Sequence, residues 1–167
     1  MYIPFKELPP SARVWVYQAD RSFSIADEKM IAQVLTDFCS RWEAHGQPLR
    51  ASFKVEFHQF IILSVDENIA EASGCSIDGS VRTLKELGNQ MLIDFFDRTK
   101  IAFMFGGKIE IYPLNELGSL FATGQLSSST RTFNNLTPTQ SEWKKNWLTT
   151  ADKTWLSKFL PKEAVAV

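Results

Sequence analysis

Cys75 is the one residue whose type and place suggest a nucleophile. It stands in Ala72-Ser73-Gly74-Cys75-Ser76-Ile77-Asp78-Gly79-Ser80, a run of small and polar residues between a strand pattern and a helix pattern. A thiol just before a helix loses its proton more easily, because the helix N-terminus favours an anion. His58 and His45 are the two imidazoles available as a base. The competing reading is a small residue in a tight turn, since free cysteine is among the most buried types. Asp66, close by in sequence, would oppose a thiolate.

The same run supports a different chemistry. Ser73, Gly74, Ser76, Asp78 and Ser80, with Asp66 before them, offer hydroxyls, backbone N–H groups and room for close approach. A phosphate or carboxylate docks well on such a turn. The plainer alternative is helix capping, with Asp78 or Ser80 as N-cap. Asp66, Glu67 and Asp78 are carboxylates that could do acid–base work or hold a divalent cation, but no further strong ligand joins them, so no metal is expected. No cofactor motif is present. His45 extends an apolar helical stripe and His58 shares a strand face with Lys54 and Glu56, so both also have structural readings. Cys39 reads as core.

Bulk properties narrow the classes. A chain of 167 residues, 44% hydrophobic and 22% charged, is long enough for one α+β domain with a real core. A net charge of -1 disfavours general nucleic-acid binding and an anionic membrane surface as partner. No stretch approaches the roughly 20 apolar residues of a membrane span. Two cysteines make neither a disulfide framework nor a metal knuckle. The start, MYIPFKELPP, lacks a signal-peptide run, so a cytoplasmic location with reduced thiols is expected. A small anionic ligand is the expected partner, and self-association is left open.

The elements that must position these residues follow from periodicity. Residues 1–12 contain prolines and read as an extended arm. Residues 13–19 are β-branched and aromatic, a strand covered on both faces. Ser24 with Asp27 starts a helix running to about His45, with Met30, Ile31, Val34, Leu35, Phe38, Cys39 and Trp42 on one stripe. Residues 50–66 are too long for one ordinary strand and predict two, turning near His58-Gln59, or one bent strand. A second helix is expected over 79–97, and Gly88 inside it points to something packed closely there. Gly106-Gly107 joins two strands as a hairpin. A short helix over 115–122, a polar loop over 124–136, a helix capped by Thr137 and a last short helix around Trp155 complete the chain. Trp143 and Trp147 in the capped helix read as packing residues.

The order βαββαββ fits a ferredoxin-like core over 13–113. Residues 114–167 then form a helical extension, the natural cover for the second sheet face. A single domain is expected.

Three stretches together resemble a family of small bacterial proteins commonly labelled "ABC transporter ATPase": WEAHGQPL, SVDE…ASGCSID, and TFNNL…W…TWLSKFL. The resemblance spans most of the chain, and Ser73-Gly74-Cys75-Ser76-Ile77-Asp78 is its most specific part. The label implies nucleotide hydrolysis. The residues do not supply it: a phosphate loop needs GxxxxGK[ST]. Here the one Gly-Lys pair, Gly107-Lys108, has Ala102 in place of the first glycine and Ile109 in place of Ser or Thr. The family pattern also has Trp-His where this chain has Trp155-Leu156, so no role for that histidine carries over.

Overall fold

The computed structural model describes residues 1–162. It is mixed α and β with antiparallel sheets, and its contacts group the described residues into two compact units, 1–97 with 135–145, and 98–134 with 146–162.

The first unit is built on β1 (Arg13–Gln18), β4 (Arg50–Glu56) and β5 (Phe60–Asp66), in the order β1-β5-β4. Residues 50–66 are therefore two strands. They turn through Phe57 and His58, both with φ +52°, and Gln59 N–H closes the turn on the Glu56 carbonyl. β5 is central and buried along its whole length. One sheet face packs Ile61, Leu63 and Tyr17 against α1 (Ile25–Arg41) and α2 (Gly74–Met91), through Ile31, Leu35, Leu84 and Leu87. The other face carries Ser52, Lys54 and Ser64. The 3-10 turn Phe5–Glu7 and α4 (Gln140–Asn146) cover it, with Trp143 against Phe5 (ring centroids 5.7 Å) and Lys54. Both edges are closed by other chain segments. Ile3 N–H bonds the Ala51 carbonyl on β4, and Val14 N–H bonds the Pro138 carbonyl beside β1.

Lys100–Phe105, expected as the fourth strand of a ferredoxin-like sheet, pairs elsewhere. It is β6 of the second unit, whose sheet has the order β7-β6-β8-β9, with β7 Lys108–Pro113, β8 Arg131–Phe133 and β9 Leu148–Thr150. The Gly106-Gly107 hairpin is as expected, with both glycines at positive φ. The polar stretch 124–136 is not one open loop. Leu126 is buried, Ser127 N–H bonds Thr130 Oγ1, and 131–133 is strand. α3 (Leu117–Ala122) and the 3-10 turn Trp155–Phe159 pack Leu117, Phe121 and Leu156 onto Phe103.

Several boundaries move for identifiable reasons. α1 ends at Arg41, not near His45: Trp42 is extended, and Glu43–Ala44 (β2) pairs with Gln47–Pro48 (β3) around a two-residue turn. His45 and Gly46 form that turn at φ 51° and 75°, so His45 is exposed at a hairpin tip. α4 is capped by Thr139, whose Oγ1 accepts from Glu142 N–H (3.2 Å). Thr137 is not the cap, because Pro138 and Thr139 first run extended along β1. α2 starts at Gly74 and stops at Met91, with Leu92 left-handed. Phe95 and Phe96 are packed by the returning chain, against Phe23 and Tyr17.

The start of α1 is as read. Ser24 Oγ accepts from Asp27 N–H (3.1 Å), and Asp27 Oδ2 accepts from Ser24 N–H (2.8 Å) and Arg21 Nη1 (2.7 Å). The Arg21 guanidinium, then the Ser24 N–H, hold the Asp27 carboxyl down at about 2. Its contribution to stability is thus full above the ordinary carboxylate range near 4 and is lost as pH falls towards 2. Asp27→Asn is expected to lose about 1 kcal/mol at neutral pH. The gap to the parent should close between pH 4 and pH 2, read as the difference in urea midpoints.

Candidate functional site

Ser73 caps α2 and makes a reciprocal box with Ser76: Ser73 Oγ accepts from Ser76 N–H (3.2 Å) and Ser76 Oγ from Ser73 N–H (2.8 Å). The polar run is therefore the first two turns of a helix, not a turn before one. Serine at the third position does the work usually given to Glu or Gln. Gly74 and Cys75 are both exposed, and their N–H groups have no protein partner among the described residues.

The end of α1 lies against this helix start. Trp42 Nε1 donates to the Ser76 carbonyl (2.8 Å), and its ring meets Phe38 (4.9 Å) and Trp15 (6.0 Å). Between the helices is a groove of about 340 Å³ lined by Phe38, Arg41, Trp42, Glu43, Cys75, Ser76 and Gly79. Arg41 pairs with Asp37, four residues before it, and both are mostly in solvent, so the guanidinium is held weakly. A Cβ added at Gly74 or Gly79 would meet nothing within 4 Å, so these glycines leave space rather than admit a neighbour.

Asp78 is exposed on α2 and caps nothing. Ser80 is buried, its Oγ donating to the Ile77 carbonyl (2.6 Å). Burial pushes the nearby Tyr17 hydroxyl up, a hydrogen bond with Ser80 opposing this. Asp66 is 4% exposed and committed: Oδ1 accepts from Asn68 N–H (3.1 Å) and Nδ2 (2.8 Å), and Oδ2 faces Arg50 (3.4 Å). Glu67 Oε1 accepts from Ala72 N–H (3.0 Å) and meets Arg13 (3.4 Å). These carboxylates brace the connection from β5 to α2. Among the described residues no three His, Cys, Asp or Glu side chains converge to hold a metal.

Cys75 and His58 are not brought together. His58 pairs with Glu28 at the start of α1, beside the β4–β5 turn. Cys75 stands at the other end of both elements. Seven residues of β5 span about 20 Å, and the 14 residues from Glu28 to Trp42 span about 21 Å of helix. His45 is nearer in the chain, but it does not line the groove. Neither histidine is hydrogen-bonded to Cys75. What sequence reasoning missed is the aromatic wall: Phe38 and Trp42 read as core stripe, as their cluster bears out, but they also line the groove, where Trp42, just past the end of α1, bonds the start of α2.

The two thiols differ sharply. Cys75 is exposed, whereas Cys39 is fully buried, and burial pushes its thiol up to about 12. Iodoacetamide is expected to label Cys75 in native protein and Cys39 only after unfolding, checked by mass spectrometry of the digest.

No helix among the described residues is long and apolar enough to cross a membrane. No family model, curated protein or solved structure matches the chain.

Proposed function

We propose that this chain is a cytoplasmic small-ligand binding protein whose groove at the start of α2 takes an anion, a phosphate or carboxylate group. One observation carries the reading: Cys75, whose N–H like that of Gly74 beside it is uncommitted, lines a groove walled by Phe38 and Trp42, with Arg41 and Glu43 at its side. The helix end favours negative charge, Arg41 adds a second donor, and the aromatic wall suits the apolar part of a small metabolite. The ligand would bind through backbone donors and Arg41, so Cys75→Ser leaves binding intact. The resemblance to the family with the Ser73–Asp78 motif fits this reading, since the motif and the groove coincide. In plan, the sheet β1-β5-β4 with both helices on one face corresponds to the first three strands of a ferredoxin-like fold.

The test is titration of the folded protein with inorganic phosphate, followed by the amide resonances of Gly74 and Cys75. Saturable shifts at these two, weakened about fivefold in Arg41→Gln and abolished in Gly79→Leu, support the reading. Absent or unsaturable shifts overturn it.

A second reading, a protein-interaction domain, is favoured by the opposite end of the first unit. Ile25 and Leu92 are 80% and 85% exposed there, near where Arg21 Nη2 bonds the Met91 carbonyl (2.5 Å). A concentration-dependent dimer abolished by Leu92→Asp would favour it over the groove.

A further inference from the structure

The sheet face turned away from α1 and α2 holds a knot of neutral polar groups within the core. Ser52 on β4 and Ser64 on β5 stand directly opposite each other in the antiparallel pair, and both are 0% exposed. Gln140, the first residue of α4, is also 0% exposed. Its Nε2 donates to Ser64 Oγ (3.2 Å) and to the Phe5 carbonyl (3.2 Å).

Counting protons shows what is left over. Both Gln140 amide protons are spent, which fixes the orientation of the carboxamide, and its Oε1 can only accept. Gln140 Oε1 has no protein partner, nor has Ser52 Oγ. Ser64 Oγ accepts from Gln140, so its own proton still needs an acceptor, and the described residues supply none. Two hydroxyl donors and one amide acceptor therefore stand together, fully buried. Buried polar groups in native proteins are paired, and where side chains do not pair them an internal water does.

We propose that Ser52, Ser64 and Gln140 form the binding site of a single structural water, which fastens the 135–145 segment to the sheet of the first unit. The water accepts from both serine hydroxyls and donates to Gln140 Oε1. Three bonds are the usual complement of a buried water. The spacing suits it: opposite Cβ atoms in an antiparallel pair are roughly 4.5–5.5 Å apart, a gap that one water spans between two hydroxyls. A cation does not fit the same groups. All three are neutral, and Asp66, the next residue on this face of β5, is already spent on Arg50 and Asn68. The site bears on the segment because Gln140 N–H also bonds the Ala12 carbonyl (2.9 Å), so this residue ties α4 to the sheet through both main chain and side chain.

The test is a crystal structure of the whole chain at about 1.5 Å or better, with water-to-amide cross-peaks for Ser52 and Ser64 in solution. One density peak within hydrogen-bond distance of Ser52 Oγ, Ser64 Oγ and Gln140 Oε1, with matching long-lived water cross-peaks, is the expected result. Ser52→Ala removes one leg and should shorten the water's residence about fivefold, the equivalent of one hydrogen bond. Gln140→Met should abolish the cross-peaks. A direct bond from either serine to Gln140 Oε1, or a dry pocket, overturns the proposal. Both results are readable on the unmodified protein if Gln140→Met fails to fold.

Discussion

Gly88→Ala is expected to destabilise the protein by about 2 kcal/mol, although it replaces a poor helix former with the best one. In an open helix the exchange gains about 1 kcal/mol. Here a Cβ at Gly88 would lie 2.4 Å from the Ile93 carbonyl oxygen and 3.4 Å from the Phe95 ring. The first contact is with backbone, and backbone cannot rotate aside. The reason for the close approach is the way α2 stops. Leu92 turns left-handed at φ 55°, and Ile93 N–H reaches back to the Gly88 carbonyl (2.9 Å). That closure folds the chain sharply onto the helix and delivers Ile93 and Phe95, 6% and 5% exposed, into the core beside Phe23. Making room for a methyl group opens this closure and withdraws both side chains, and overpacking of this kind costs about 1–3 kcal/mol beyond the lost propensity gain. Gly79→Ala is the control. It lies in the same helix with nothing within 4 Å of an added Cβ, so it should stabilise by up to about 1 kcal/mol. Urea midpoints are expected in the order Gly88→Ala, parent, Gly79→Ala. A Gly88→Ala midpoint at or above the parent's would mean that the clash is relieved without cost.

That glycine was legible in the sequence as an oddity, and so was much of the local structure. Ser24 and Asp27 announce α1, because capping is a contact between residues three apart. Gly106-Gly107 announces a hairpin for a similar reason. The errors arise where a distant segment decides. α2 begins five residues earlier than expected because Ser73 and Ser76 cap each other, a pairing with a weaker signature than Ser with Glu. α1 ends early because β2 finds β3, a two-residue pairing that no alternation pattern can reveal. β8 and β9 have three residues each and are likewise too short to show a period. Lys100–Phe105 looks like any buried strand, and its sequence does not say which sheet it joins. The candidate site divides the same way. Ser73, Gly74, Cys75 and Ser76 were found from composition. Phe38, Arg41, Trp42 and Glu43 complete the groove only through the packing of one helix end on another's start, and the same packing geometry keeps His58 about 20 Å away from Cys75.

Trp42→Ala is expected to have the largest effect of any single change near the groove, about 4 kcal/mol. The indole is 4% exposed, meets two other aromatic rings and spends its N–H on the Ser76 carbonyl. Trp42 therefore joins three things at once: the end of α1, the start of α2 and β1, where Trp15 resides. Its cluster also contains Cys39, Leu49 and Val65, all fully buried. Truncation leaves a cavity among them, and the rigid strands on one side cannot close it. Trp42→Phe separates the two contributions. It keeps a ring against Phe38 but removes the donor to Ser76, so a loss of about 1 kcal/mol is expected from the hydrogen bond and a smaller one from the lost ring. Cys39 provides a readout inside the cluster itself. Its thiol is reached only when the cluster opens, so its labelling under native conditions follows the population of opened molecules. A loss of about 4 kcal/mol raises that population about a thousandfold, and Trp42→Phe should raise it by about tenfold. Cys75, already exposed, should label at nearly the parental rate in Trp42→Phe. A Cys39 rate unchanged in Trp42→Ala would show that the cluster holds without its indole, and that the wall of the groove is a surface feature rather than the joint between the two helices.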